Sequence, residues 1–120
     1  MKKRLFSFIL VLVMLISMLP ATALKAHAAA MTTSEDAIAM IKGFEGFHAN
    51  AYMDNGQWTI GYGTSSEEGA TITEEEADRV MRAHVATLET AINTFAASNG
   101  LNLNQGKFDA LISFSFNCGT

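Results

Sequence analysis

The chain has 120 residues, enough for one small domain, with 8 Lys and Arg against 12 Asp and Glu. Its net charge of −4 argues against a nucleic-acid partner. Its single cysteine, Cys118, excludes an internal disulfide, and its three histidines have no Cys or His partners at metal-binding spacing, so no metal or organic cofactor is expected.

Residues 1–28 read as a secretory signal. Lys2, Lys3 and Arg4 form a basic start, and Leu5 to Leu19 is an apolar run interrupted only by Ser7 and Ser17. Pro20 breaks it, and Ala26-His27-Ala28 offers a small-residue cleavage site. The run is short for a membrane span, which needs roughly 20 apolar residues. A retained N-terminal anchor is the alternative to a secreted protein that meets the membrane only transiently. Cleavage removes Lys2, Lys3, Arg4 and Lys25, which leaves four basic residues against twelve acidic, a balance of −8. Such a surface slows approach to any anionic partner, so either contacts to neutral groups dominate or basic residues lie in sequence that is absent here.

Ser34 is the N-cap of a first helix, with Glu35 and Asp36 where the helix dipole favours negative charge. Ala37, Ile38, Ile41 and Phe44 recur at helical spacing. Glu45 continues that stripe at i+7 from Ile38. Two readings fit Glu45. It is a helix-end carboxylate turned to solvent beside Gly46, or a desolvated carboxylic acid whose retained proton suits it as a general acid.

Ala51-Tyr52-Met53 and Gln57-Trp58-Thr59-Ile60 are short strand-like runs joined by Asp54-Asn55-Gly56, a turn sequence. Gly61-Tyr62-Gly63 ends the second strand; glycines there either stop a strand or let a ligand approach the backbone. A polar loop runs to Thr73, which opens a T-x-x-E capping box with Glu76. A long helix to about Ala97 is predicted, with the stripe Ala77, Val80, Met81, His84 or Val85, Leu88, Ile92 and Phe95. Ser98-Asn99-Gly100 ends it. Asn104 caps a last helix from Gln105 to about Asn117, with Gly119 as its C-terminal cap. Phe108, Leu111, Ile112, Ser115 and Phe116 line one side, and Phe114 adds apolar surface elsewhere, so this helix needs partners on several sides. Cys118, on that apolar run, is expected to be a buried structural thiol.

Taken together, Glu45, Asp54, Thr59 and the run Thr59-Ile60-Gly61-Tyr62-Gly63, in this order and at these gaps, resemble the phage-type lysozymes, the endolysins of glycoside hydrolase family 24. Three later stretches fit the same pattern: Gly69 to Thr73 ahead of Glu76-Ala77, Phe108 to Leu111, and Phe116 to Gly119. The resemblance covers residues 33–120, within a domain taken as residues 29–120. Thr64 departs from it, standing where many relatives have His.

The resemblance implies an α+β, lysozyme-like fold, mostly helical with a small hairpin at the cleft, and without the family's C-terminal helices. It implies a monomer acting on peptidoglycan glycan strands at the β-1,4 bond between N-acetylmuramic acid and N-acetylglucosamine. Glu45 would be the acid, and Asp54 with Thr59 would activate water on the opposite face of the sugar, with inversion. Inverting carboxyls stand about 6.5–9.5 Å apart to admit that water. Tyr52, Gly61, Tyr62, Gly63 and Asn117 would bind the sugars. The alternative is an inactive remnant or a non-catalytic wall-binding module.

Overall fold

A computed structural model of the chain describes residues 29–118. The expected signal over residues 1–28 and the expected cap at Gly119 lie outside them. Three helices and a small antiparallel sheet follow one another: α1 (Glu35–Glu45), β1 (His48–Asp54), β2 (Gln57–Gly61), β3 (Thr64–Ser65), α2 (Glu74–Ser98) and α3 (Gln105–Cys118). None of the helices described is long and apolar enough to cross a membrane.

The helices start where the sequence puts caps. Ser34 Oγ accepts from the Ala37 amide, Thr73 Oγ1 from the Glu76 amide, and Asn104 Oδ1 from the Lys107 amide. Each satisfies an amide that the first helical turn leaves without a carbonyl partner. The capping box at Thr73 is only half formed, because the Glu76 carboxylate turns to Arg79 instead of back to the cap.

The sheet is larger than the expected hairpin. Its strand order is β1-β2-β3, and the short β3 pairs Thr64 with Ile60 and Ser65 with Thr59. Asn55 and Gly56 both adopt positive φ, 47° and 87°, as a two-residue type I′ turn requires. Between His48 and Tyr52 the register shifts, and this displaced part of β1 is held by residues 70–72. The Ala51 amide donates to the Ala70 carbonyl at 2.9 Å, and the Ile72 amide to the Ala49 carbonyl at 3.0 Å.

The core joins all three helices to the end of the sheet: Ile38 and Ile41 from α1, Tyr62 after β2, Ala77, Met81, Val85 and Leu88 from α2, Phe108 and Ile112 from α3. Two polar seams reinforce it. Arg82 of α2 grips the Glu35 carboxylate of α1 with both terminal nitrogens at 2.8 Å and donates from Nε to Asp78. Lys42 of α1 reaches the other oxygen of Asp78 at 2.6 Å. On the far side, residues 31–34 run across α2 and α3. Met31 exchanges two hydrogen bonds with the Asn93 side chain, the Thr33 amide donates to Glu89, and Ser34 donates from both its amide and its hydroxyl to Asp109.

Five positions expected to be apolar cover or core lie elsewhere. Phe44 is 70% exposed, because α1 ends one residue later and none of the described residues covers its last turn on that side. Phe95 is 62% exposed, since the end of α2 runs past the core. On α3 only Phe108 and Ile112 are fully buried; Leu111 and Phe114 face solvent. Cys118 is exposed, so it is not a buried structural thiol.

Candidate active site

Strand pairing builds one wall of a cleft. Tyr52 faces Thr59, Asp54 faces Gln57, and Thr59 also faces Ser65 across the next strand. Directly paired residues share a face of a sheet, and residues two apart on a strand do too. Tyr52, Asp54, Gln57, Thr59 and Ser65 therefore present one continuous polar face. All five line a cleft of about 700 Å³, together with Glu45, Gly63, Thr64, and Val80, Met81, His84, Phe116 and Asn117 from α2 and α3.

Glu45 is the last residue of α1 and reaches the cleft at its junction with the sheet. Its carboxyl is half-buried and has no hydrogen bond or ion pair to any described side chain. Burial without compensation disfavours the charged form, and desolvation raises its pKa above the ordinary carboxylic value. Space for the carboxyl is made by Gly63, whose φ is 86°. A Cβ on Gly63 would stand 3.0 Å from Glu45 Oε2. Glycine is needed here twice over, for the backbone conformation and for the approach of the carboxyl.

Asp54 is placed differently. It closes β1 at the exposed hairpin mouth, and Oδ1 accepts from Asn55 Nδ2 at 3.1 Å. Thr59 is only 7% exposed yet lines the cleft from the central strand. Gln57 Nε2 donates to Ser65 Oγ and ties β2 to β3 beside it. The cleft thus holds one desolvated carboxyl with no described partner, Glu45, and one solvent-facing carboxyl, Asp54.

Of the five residues expected to contact sugars, Tyr52, Tyr62, Gly63 and Asn117 line the cleft and Gly61 does not. A Cβ on Gly61 would lie 3.0 Å from the Ala77 side chain, so this glycine lets β2 pack against α2. Tyr62 contributes wall but no available hydroxyl. It is 4% exposed, its hydroxyl donates to Glu74 Oε1 at 2.9 Å, and the Lys42 ammonium lies 5.1 Å from its ring centre. Asn117 donates from its side-chain Nδ2 to the Ser113 carbonyl one turn back. Gln57, Asn55, Ser65, Val80, Met81, His84 and Phe116 were not singled out as site residues from sequence. For Gln57 the signal was present, since strand alternation puts it on the face of Thr59.

A model of the phage lysozyme family matches residues 42–120. The chain belongs to the phage lysozyme family. It is 35% identical over 92 residues to an endolysin of Acyrthosiphon pisum secondary endosymbiont phage 1, a match covering 74% of this chain and 61% of the relative. Among solved structures it resembles the muramidase domain of SpmX from Asticaccaulis excentricus, with a TM-score of 0.65 and 37% identity over 73% of this chain and 60% of that one. It also resembles an endolysin from Escherichia coli O157:H7 phage FAHEc1, with a TM-score of 0.66 and 35% identity over 74% and 59%. The chain therefore spans about three-fifths of the length of each of these phage lysozyme relatives. The small sheet beside a mostly helical body is the lysozyme-like α+β architecture that the sequence motifs imply.

Proposed function

We propose that this chain carries the acid–base half of a peptidoglycan hydrolase, a muramidase. It cleaves the β-1,4 bond between N-acetylmuramic acid and N-acetylglucosamine in glycan strands after export directed by residues 1–28. The observation that carries the reading is the Glu45 carboxyl: half-buried, unpaired, pKa raised, and in one cleft with Asp54 and Thr59. A protonated Glu45 gives its proton to the glycosidic oxygen as the bond to the anomeric carbon breaks. Asp54, at the exposed hairpin mouth, takes a proton from a water held beside Thr59, and that water adds to the opposite face of the sugar. The outcome is inversion by a single displacement. The names of the relatives, endolysin and muramidase domain, support the substrate class.

The test is a zymogram of the chain from Ala29 onward on embedded peptidoglycan, followed by anomeric NMR of the freshly released reducing ends. Clearing with newly formed ends of the α configuration is expected. Binding to the wall without clearing would make the chain a glycan-binding module instead, and β products would replace inversion with a double displacement.

A further inference from the structure

We propose that His84 is a glycan-binding residue on the helical wall of the cleft, hydrogen-bonding a hydroxyl or acetamido group of the sugar strand. The inference rests on the reading of this cleft as a peptidoglycan site.

The apolar stripe of α2 is compatible with either His84 or Val85 facing inward, and the structure separates them. Val85 is 2% exposed in the core, whereas His84 is exposed and lines the cleft. One turn earlier Val80 and Met81 line the same wall, so His84 adds polarity where that helix face leaves the core.

Its ring packs on one side against another. The imidazole lies 5.0 Å from the Phe116 ring, tilted by 37°, and Phe116 is itself packed against the core. That contact narrows the ring's freedom, and each rotamer already restricted costs less on binding. Among the described residues no side chain hydrogen-bonds the imidazole; Thr87 Oγ1 donates to the His84 backbone carbonyl, not to the ring. Its two ring nitrogens are hydrogen-bonding groups of the kind that suits a sugar hydroxyl or an amide.

The charge distribution gives this weight. Among the described residues no Lys or Arg lines the cleft. Lys42, Arg79 and Arg82 are engaged in ion pairs with Asp78, Glu76 and Glu35. Apart from Glu45 and Asp54, the described polar side chains of the cleft are therefore uncharged hydrogen-bonding groups. On the helical wall, where Val80, Met81 and Phe116 are apolar, the strong hydrogen-bonding side chains are His84 and Asn117.

The experiment is an NMR titration of the chain from Ala29 onward with a peptide-free tetrasaccharide of alternating N-acetylglucosamine and N-acetylmuramic acid, in a Glu45→Gln background that prevents turnover. Movement of the His84 ring resonances together with those of Tyr52 is expected. His84→Ala should weaken Kd about three- to tenfold, the value of one neutral hydrogen bond. His84→Gln should recover most of that loss, and His84→Phe, which keeps the stack, should not. If Tyr52 and Thr59 respond while His84 stays silent, the inference falls and the site reading stands. If no resonance responds, both fall. Because the titration uses the native His84 ring, it decides the matter even where a variant misfolds.

Discussion

Gly63→Ala isolates the contact that makes room for the Glu45 carboxyl. A side chain at a φ of 86° is strained, which costs about 1–2 kcal/mol for a non-glycine residue. For a domain of this size that lowers Tm by roughly 4–16 °C. The new methyl would also stand 3.0 Å from Glu45 Oε2, so the carboxyl must move or turn. A displacement of about 1 Å at a reacting group costs up to about 10²-fold in rate. Gly69→Ala supplies the control, since Gly69 has a φ of 77° and an added Cβ there meets nothing within 4 Å. Thermal melts and initial rates on soluble peptidoglycan fragments should be measured for both variants. Both should lose similar stability, and only Gly63→Ala should lose kcat, by about 10–10²-fold with KM little changed. Wild-type kcat in Gly63→Ala would refute the argument that this glycine positions the acid.

Asp109 is pushed up by desolvation, but the hydrogen bonds from Ser34 and Gln105 outweigh this and leave its folded pKa lowered. Its contribution is thus present above the unfolded pKa and lost as pH falls through the folded value. Acid unfolding followed by circular dichroism should be less steep below about pH 4 in Asp109→Asn. Ser34→Ala, which removes both the α1 cap and the hydroxyl bond to Asp109, should cost about 1–2 kcal/mol in urea melts. Phe44, Phe95, Leu111 and Phe114 are exposed, so the chain should bind a hydrophobic dye, and Phe114→Ser should reduce the signal without lowering Tm. N-terminal mass spectrometry of exported protein should find a start at or near Ala29; an intact Met1 in the membrane fraction would support an anchor instead.

What was legible in the sequence was local. Ser34, Thr73 and Asn104 announce helix starts because a cap is decided within four residues, and Asn55-Gly56 specifies its turn for the same reason. The Glu45 stripe could be read because Ile38 and Ile41 lie on the same helix. The missed features depend on distant partners. The displaced part of β1 is paired by residues 70–72, and the cross-chain bonds of residues 31–34 reach side chains 56 to 75 positions away. Periodicity also says which side of a helix is apolar without saying where cover ends, which is why Phe44 and Phe95 fit the stripes and yet face water. Gly61 and Gly63 look alike in sequence; only the neighbours, Ala77 for one and Glu45 for the other, separate packing from site.

The central claim is that Glu45 is the proton donor, and Glu45→Gln tests it most directly. Gln keeps the shape and has no acidic proton to give. Turnover of soluble peptidoglycan fragments should fall by at least about 10²-fold, with binding retained. In the native chain, kcat/KM should decline as pH rises through the raised Glu45 pKa, because only the protonated acid is competent. That limb should be missing from the residual activity of the variant. Near-wild-type turnover by Glu45→Gln, with the same alkaline decline, would contradict the account.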